Sequence, residues 1–286
     1  MKIALLGGNG MAGHLLATYL KRSTDYDIIV TVRPHSGSNR TSEALRGLQV
    51  RELDVRSLEE VRRFIEHSAP DLIINAVGIL NHQAEDFPQD AYKVNGLLPH
   101  WLRYWGEQIG ARLVHISSDC VFSGSRGQYR ESDAPDGTSV YARSKALGEF
   151  RDSKHVTIRT SIIGPDHKPE GIGLMKWFLA QQGEVSGYRK VLWNGVTTLE
   201  LAKATKWLID HPETGGLVHL TAAETVSKHD LLLLMQETFD KRNVSIVPTD
   251  EPIIDRTLIA TREDFGYKAP KYAEMLVELQ QWMAEP

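Results

Sequence analysis

The chain has 286 residues, 41% hydrophobic and 24% charged, with a formal net charge of −4. That length can bury a large core, as one domain or as a main domain with a smaller lobe. There is no basic field for nucleic acid or an anionic membrane, no apolar run long enough to span a bilayer, and one cysteine (Cys120), so no intrachain disulfide.

The chain opens on an apolar strand, Lys2–Leu6, that runs into Gly7-Gly8-Asn9-Gly10-Met11-Ala12-Gly13. A charged, cleavable leader would look different, so this reads as a buried strand and turn, and a reducing cytoplasm is the default location. An apolar-faced helix is expected over 14–22. The glycines satisfy both Gly8-x-Gly10-x-x-Gly13 and Gly7-x-x-Gly10-x-x-Gly13. Either spacing lets the backbone turn tightly against a pyrophosphate whose charge sits at the helix N-terminus. A second strand, 27–32, ends at Arg33, with Ser36, Ser38 and Arg40 nearby. An acidic residue there would serve the adenosine ribose of NAD; an arginine suits a 2′-phosphate, so NADP is preferred to NAD, the alternative being a solvated loop cation.

A third strand is expected over 48–53, followed by Asp54-Val55. Asp54 could accept from an adenine amino group or cap the turn. Ser57-x-x-Glu60 reads as a capping box opening a helix through His67. The fourth strand, 71–75, runs into Ala76-Val77-Gly78, small enough for a second ribose and nicotinamide to lie against the backbone. A helical region over 91–109 carries Asn95 and the aromatics Trp101, Tyr104 and Trp105, expected in the core. A fifth strand (Leu113, Val114, Ile116) ends in Ser117 and Ser118, and a helix beyond it bears Tyr141 and Lys145 four positions apart. That spacing puts phenol and ammonium on one face, where the cation should lower the phenol below its usual pKa of about 10. With Ser118 hydrogen-bonding the oxygen that Tyr141 protonates, the chemistry suggested is carbonyl/alcohol interconversion. An exposed Tyr/Lys pair on a solvated face is the bland alternative, and the glycine-rich opening weighs against it. A sixth strand is expected over 156–160. Strands alternating with helices give an α/β, doubly wound parallel sheet (Rossmann), with ligands at the strands' carboxyl ends.

Beyond residue 160 regularity falls. Helices are expected over 174–181, 198–210, 229–239 (opened by Ser227) and 272–283. Residues 1–160 read as the dinucleotide-binding domain with 197–221 packing back on it; 161–196 and 222–286 read as a smaller substrate lobe closing over the sheet edge. Lys176, Arg189 and Trp193 are candidate contacts to a substrate's pyrophosphate or base, or else two solvated charges and a buried indole. Eleven histidines without metal-ligand spacing leave no metal assigned.

With those residues placed, the chain resembles the extended short-chain dehydrogenase/reductases, and within them the dTDP-4-dehydrorhamnose reductase family. The likeness is carried by Gly7/Gly10/Gly13, Asn75-Ala76-Val77-Gly78, Val94-Asn95, the run from His115 to Gly124, Tyr141-Ala142-Arg143-Ser144-Lys145, Ile158-Arg159-Thr160-Ser161 and Asn194-Gly195-Val196-Thr197-Thr198. It implies a catalytic set of Asn95, Ser118, Tyr141 and Lys145 acting on a nucleotide-activated 4-keto sugar with NADPH. In that set Tyr141 protonates the carbonyl oxygen and Ser118 orients it. Lys145 holds the nicotinamide ribose, and Asn95 links Lys145 to a water relay. Residues assigned to the cofactor are Gly7, Asn9, Gly10, Met11, Gly13, Arg33, Asp54, Val55, Ala76, Val77, Gly78, Ser117, Tyr141, Lys145 and Ile162. Those assigned to the substrate are Ser118, Asp119, Cys120, Tyr141, Lys176, Arg189 and Trp193.

The segment Ser161-Ile162-Ile163-Gly164-Pro165 lacks the aromatic residue common in the rhamnose enzymes, which leaves the sugar open. Related 4,6-dehydratases carry Asp-Glu after the hydroxyl residue; Asp119-Cys120 here argues against dehydration, and Cys120 reads as a packed residue. Two other readings stand beside the reductase: an epimerase with tightly held NAD, and a regulatory subunit that binds NADP without turnover. The class is compatible with a homodimer, though no surface is nominated.

Overall fold

The computed structural model describes residues 1–34, 45–166, 171 and 173–285. Ser36, Ser38 and Arg40 lie outside the described residues.

Seven parallel strands form the central sheet: β1 (Lys2–Leu6), β2 (Asp27–Val32), β3 (Gln49–Glu52), β4 (Leu72–Asn75), β5 (Arg112–Ile116), β6 (Val156–Arg159) and, numbered by its place in the chain, β11 (Gly216–His219). Their spatial order is β11-β6-β5-β4-β1-β2-β3. β1 pairs with β2 on one side, Ile3 opposite Ile28, and with β4 on the other, Ile3 opposite Leu72. Strand order therefore reverses between β1 and β4, which opens a crevice beyond their carboxyl ends. The continuous apolar runs of β1 and β4 follow from burial on both faces.

Helices cover both faces. On one, α1 (Met11–Ser23) packs on α8 (Thr198–Asp210) through Leu15, Leu16 and Leu20 against Leu201, Ala204 and Leu208. On the other, Val61 and Ile65 of α2 (Leu58–Ser68) join Leu98, Leu102 and Trp105 of α5 (Leu98–Gln108) over Ile73 and Leu113. The Ser57 hydroxyl caps α2 by accepting from the Glu60 N–H, but the Ser57 N–H donates to Asp54, so the expected capping box is half formed.

The helical region before β5 is built of four pieces: α3 (Asn81–Asp86), α4 (Pro88–Ala91), a π-helical turn over Tyr92–Leu97 and α5. Trp105 is core, as expected. Trp101 and Tyr104 are not: they are 41% and 51% exposed, because α5 turns that face away from the sheet. The α6 helix (Val140–Leu147) follows β5 and crosses the π-helical turn so closely that a Cβ on Gly148 would stand 2.1 Å from the Asn95 carbonyl oxygen.

The remaining elements are short: β7 (Ile162–Ile163), α7 (Leu174–Ala180), β8 (Gly183–Tyr188), β9 (Val191–Trp193), β10 (Val196–Thr197), β12 (Val226–Ser227), α9 (Lys228–Thr238), β13 (Val244–Thr249), β14 (Ile254–Asp255) and α10 (Tyr272–Ala284). They make three small sheets, β10-β7, β12-β9-β14 and β13-β8. Leu231, Leu232 and Met235 of α9 and Met275, Leu276 and Leu279 of α10 share one apolar core with α1 and the main sheet.

Candidate active site

The cleft begins at the glycine-rich turn. Gly7 has φ 96°, a left-handed value that favours glycine, and a Cβ on Gly13 would stand 2.2 Å from the Gly7 carbonyl oxygen. The turn thus folds onto the start of α1. No side chain caps that helix at Gly10, so its first N–H groups face the crevice. Asn9 Oδ1 is buried there with no hydrogen-bond partner, and a Cβ on Gly7 would press on the Ala76 carbonyl and Val77. A helix end without a side-chain cap, an orphaned amide oxygen and a cradle made of backbone fit a dinucleotide.

Around that turn, Arg33 is exposed at the end of β2; the Asp54 carboxyl is held below the ordinary range first by its hydrogen bond from Arg56, with the Arg33 charge a lesser contribution. Asp54 itself is bound chiefly by Arg56: Oδ1 accepts from the Arg56 N–H and Nε at 3.0 Å, Oδ2 from Nη2 at 2.7 Å. Val55 and Val77 pack at the margin of the α2/α5 core, Ala76 and Ile162 at that of the other. Met11 opens α1, and Gly173, before α7, comes down onto its sulfur.

β5 delivers the hydroxyls. The Ser117 hydroxyl donates to Glu149 at 2.7 Å, and Glu149 pairs with the fully buried Arg159 at 2.6 Å. Ser118 caps the short turn Asp119–Val121: its Oγ accepts from the Cys120 N–H at 3.1 Å and donates to Asp119 Oδ1 at 3.2 Å. Ser118 also acts on Tyr141 as a hydrogen-bond partner that favours phenolate. Two side chains, Ser118 from the loop after β5 and Tyr141 from α6, therefore meet beyond the carboxyl end of that strand.

Lys145 is buried, and its Nζ donates to the Ile116 carbonyl at 2.6 Å. Asn95 is buried in the π-helical turn: it accepts from the Ile79 N–H at 2.8 Å and donates to the Ile79 carbonyl at 2.9 Å and to Ser144 Oγ at 3.0 Å. It therefore fastens the loop after β4 to α6, one residue from Lys145. π-helical turns concentrate at functional sites.

The expected lowering of the Tyr141 phenol by Lys145 is overturned. Burial pushes the phenol well above its ordinary value, the charges of Cys120 and Asp119 add to that, and the Ser118 hydrogen bond only partly opposes it. The ammonium that should have lowered it is turned onto Ile116, and its own burial pulls Lys145 down to about 8. Burial likewise raises Asp119, and with Asp119 beside it pushes the Cys120 thiol up to about 12, so Cys120 is no ready nucleophile.

On the substrate side the candidates disperse. Arg189 lies on the surface, paired with Asp250 at 2.7 Å, and Lys176 is half-buried on α7. Trp193 is 4% exposed and stacked on Tyr272 at 5.4 Å. Two cations that sequence reasoning passed over face Asp119 and Cys120: Lys228, whose Nζ is 4.5 Å from the Trp193 ring, and Arg256. Neither carried a signal, since a lone lysine after a capping serine and an arginine in a polar loop both read as solvated. His115 was also missed; it is fully buried, accepts from Asn75 at 3.2 Å, and is held neutral first by burial and then by Lys145.

The sheet order, the glycine turn at the reversal and the Ser118–Tyr141 pair, with Lys145 on the same helix, define a Rossmann-fold protein of the short-chain dehydrogenase/reductase type. The RmlD substrate binding domain model matches residues 1–263, and the chain belongs to that family. It is 24% identical over 278 residues to the spore coat polysaccharide biosynthesis protein SpsK of Bacillus subtilis, covering 95% of this chain and 87% of that one. It is 27% identical over 210 residues to the dTDP-4-dehydrorhamnose reductase of Salmonella typhimurium, 69% of each chain. The crystal structure of dTDP-4-dehydrorhamnose reductase from Bacillus anthracis in complex with NADP superposes with a TM-score of 0.79 at 19% identity, covering 98% of this chain and 99% of that one.

Proposed function

We propose that the protein is an NADP-dependent reductase of a nucleotide-activated 4-keto sugar. The observation that carries this reading is the Ser118 hydrogen bond to Tyr141 just past the end of β5, with Lys145 of the same helix anchored at the Ile116 carbonyl at that strand's end. Family membership and the names of the Salmonella and Bacillus anthracis relatives support the substrate class and the cofactor.

The cofactor would be held by the turn at Gly7, Gly10 and Gly13, with Asn9, by the backbone at Ala76 to Gly78, and at its adenosine end by Arg33; when bound it supplies hydride to the carbonyl carbon. Tyr141, kept neutral by burial, presents the proton-bearing form that a reduction needs and gives that proton to the carbonyl oxygen. Ser118 turns its hydroxyl from Asp119 to the same oxygen and stabilises the charge developing there. Lys145, anchored at Ile116, supplies a positive charge at the nicotinamide end, and Asn95 keeps α6 seated so that both Tyr141 and Lys145 stay in register.

A screen of NADPH oxidation against nucleotide-linked 4-keto sugars tests the reading. Consumption of NADPH with formation of the reduced sugar nucleotide is expected. A flat NADPH signal with every such sugar, or interconversion of sugar nucleotides without net NADPH loss, would overturn it, the second outcome in favour of an epimerase.

A further inference from the structure

Lys228 is the first residue of α9, and the Ser227 hydroxyl caps that helix through the Asp230 N–H at 3.0 Å. Its Nζ lies 4.5 Å from the centroid of the Trp193 ring, which is itself buried and fixed by stacking on Tyr272. The groups whose charges act on the ammonium are Asp119 and Cys120, the two residues after Ser118, so it looks into the same cleft as the catalytic hydroxyl. Among the described residues it has no hydrogen-bond acceptor and no ion-pair partner within bonding distance.

A half-buried ammonium held against an indole face without an acceptor is partly desolvated, and a bound anion relieves that cost. Burial already pulls Lys228 down to about 8, and the nearest carboxyl, Asp119, is itself pushed toward its neutral form. Arg256, whose Nε donates to the Phe122 carbonyl at 3.0 Å, adds a second cation facing Asp119. Two cations against one buried carboxyl leave this side of the cleft with surplus positive charge. A neutral sugar hydroxyl would accept one hydrogen bond and leave that surplus unpaired; a diphosphate would neutralise it.

We propose that Lys228 receives the diphosphate of the substrate, its ammonium donating to a phosphoryl oxygen beside the Trp193 ring. This rests on the sugar-nucleotide reading above. The groups acting on Tyr141 are Ser118, Cys120 and Asp119 and not Lys228, so Lys228 governs substrate affinity and not the proton transfer.

The test is calorimetric titration of the NADP-saturated protein with dTDP, with UDP and with inorganic pyrophosphate. Lys228→Met should weaken binding of these anions at least about tenfold, and Lys228→Arg should restore it to within about threefold of the original. NADPH affinity and Tm measured on each variant report that the fold is kept; Lys228→Gln carries the same test if the methionine variant fails them. In turnover, Lys228→Met should raise KM for the sugar nucleotide about as much and leave kcat nearly unchanged. Anion affinity that is indifferent to Lys228→Met overturns the assignment while the sugar-nucleotide reading stands. A fall in kcat at constant KM also overturns it, by moving Lys228 to the reacting centre. A starting protein that binds none of the three anions overturns both.

Discussion

At the scale of single residues, Tyr141 and Lys145 show burial moving two proton affinities apart. The phenol rises, the ammonium falls to about 8, and at neutral pH both remain protonated. For Lys145 the folded value lies below the ordinary 10.5, so folding disfavours its charged form. That penalty is full below about pH 8 and is relieved as pH climbs toward 10.5, because only the unfolded chain still binds the proton there. Lys145→Met, which removes the group, should therefore be more stable relative to the unsubstituted protein at pH 7 than at pH 10. A difference on the order of 1–3 kcal/mol is expected. Urea titrations of both proteins at the two pH values check this, and a pH-independent difference would contradict it. At the sheet edge, Arg33→Asp should shift the ratio of NADPH to NADH affinity toward NADH by about tenfold or more, read from direct titration with each nucleotide. The positions of these residues were legible because glycine spacing and the Tyr/Lys interval are local patterns. Their proton affinities were not, since desolvation depends on what packs around a group, and no spacing encodes that.

Among the elements, the π-helical turn and α6 form the joint that holds the site. Asn95 bridges Ile79 and Ser144, and glycine at 148 lets the helix sit against the Asn95 carbonyl. The backbone of Gly148 is ordinary, φ −79°, so a substitution there acts by contact alone. Gly148→Ala should lower stability by about 1–3 kcal/mol and reduce kcat more than it weakens NADPH binding, because α6 carries both Tyr141 and Lys145. Thermal melts and steady-state kinetics on the variant measure both effects. The long strands and helices could be read from apolar runs and caps, Ser57 and Ser227 among them. The strands β7 to β14 could not. Several have two or three residues, and a pairing such as Val226 with Trp193 is decided by tertiary position and not by periodicity. β11, which starts at Gly216 directly after Gly215, escaped for the same reason although it completes the main sheet.

Taken whole, the molecule joins its sheet and its C-terminal segments through one core, in which Leu276 of α10 and Leu16 of α1 are both fully buried. The division into a dinucleotide domain and a lid-like lobe suited the change in pattern after residue 160, but the apolar contacts run across it. Leu276→Ala should accordingly cost about 2–5 kcal/mol and shift a single unfolding transition. Tryptophan fluorescence and far-UV circular dichroism should move together, whereas separate transitions would mark an independent lobe. Buried charge also ties distant segments: Glu149 and Arg159 lie between Ser117 and His219, and Glu131 reaches both His219 and Thr261.

The most direct measurement is turnover by Tyr141→Phe, alongside its NADPH affinity, with a 4-keto sugar nucleotide that the unsubstituted protein reduces. Loss of the phenolic proton should cut kcat by about 10²- to 10⁴-fold while NADPH binds within about twofold of the original. A variant that reduces the sugar at an undiminished rate would show that the proton comes from elsewhere and that the Ser118, Tyr141 and Lys145 grouping is not the reacting centre.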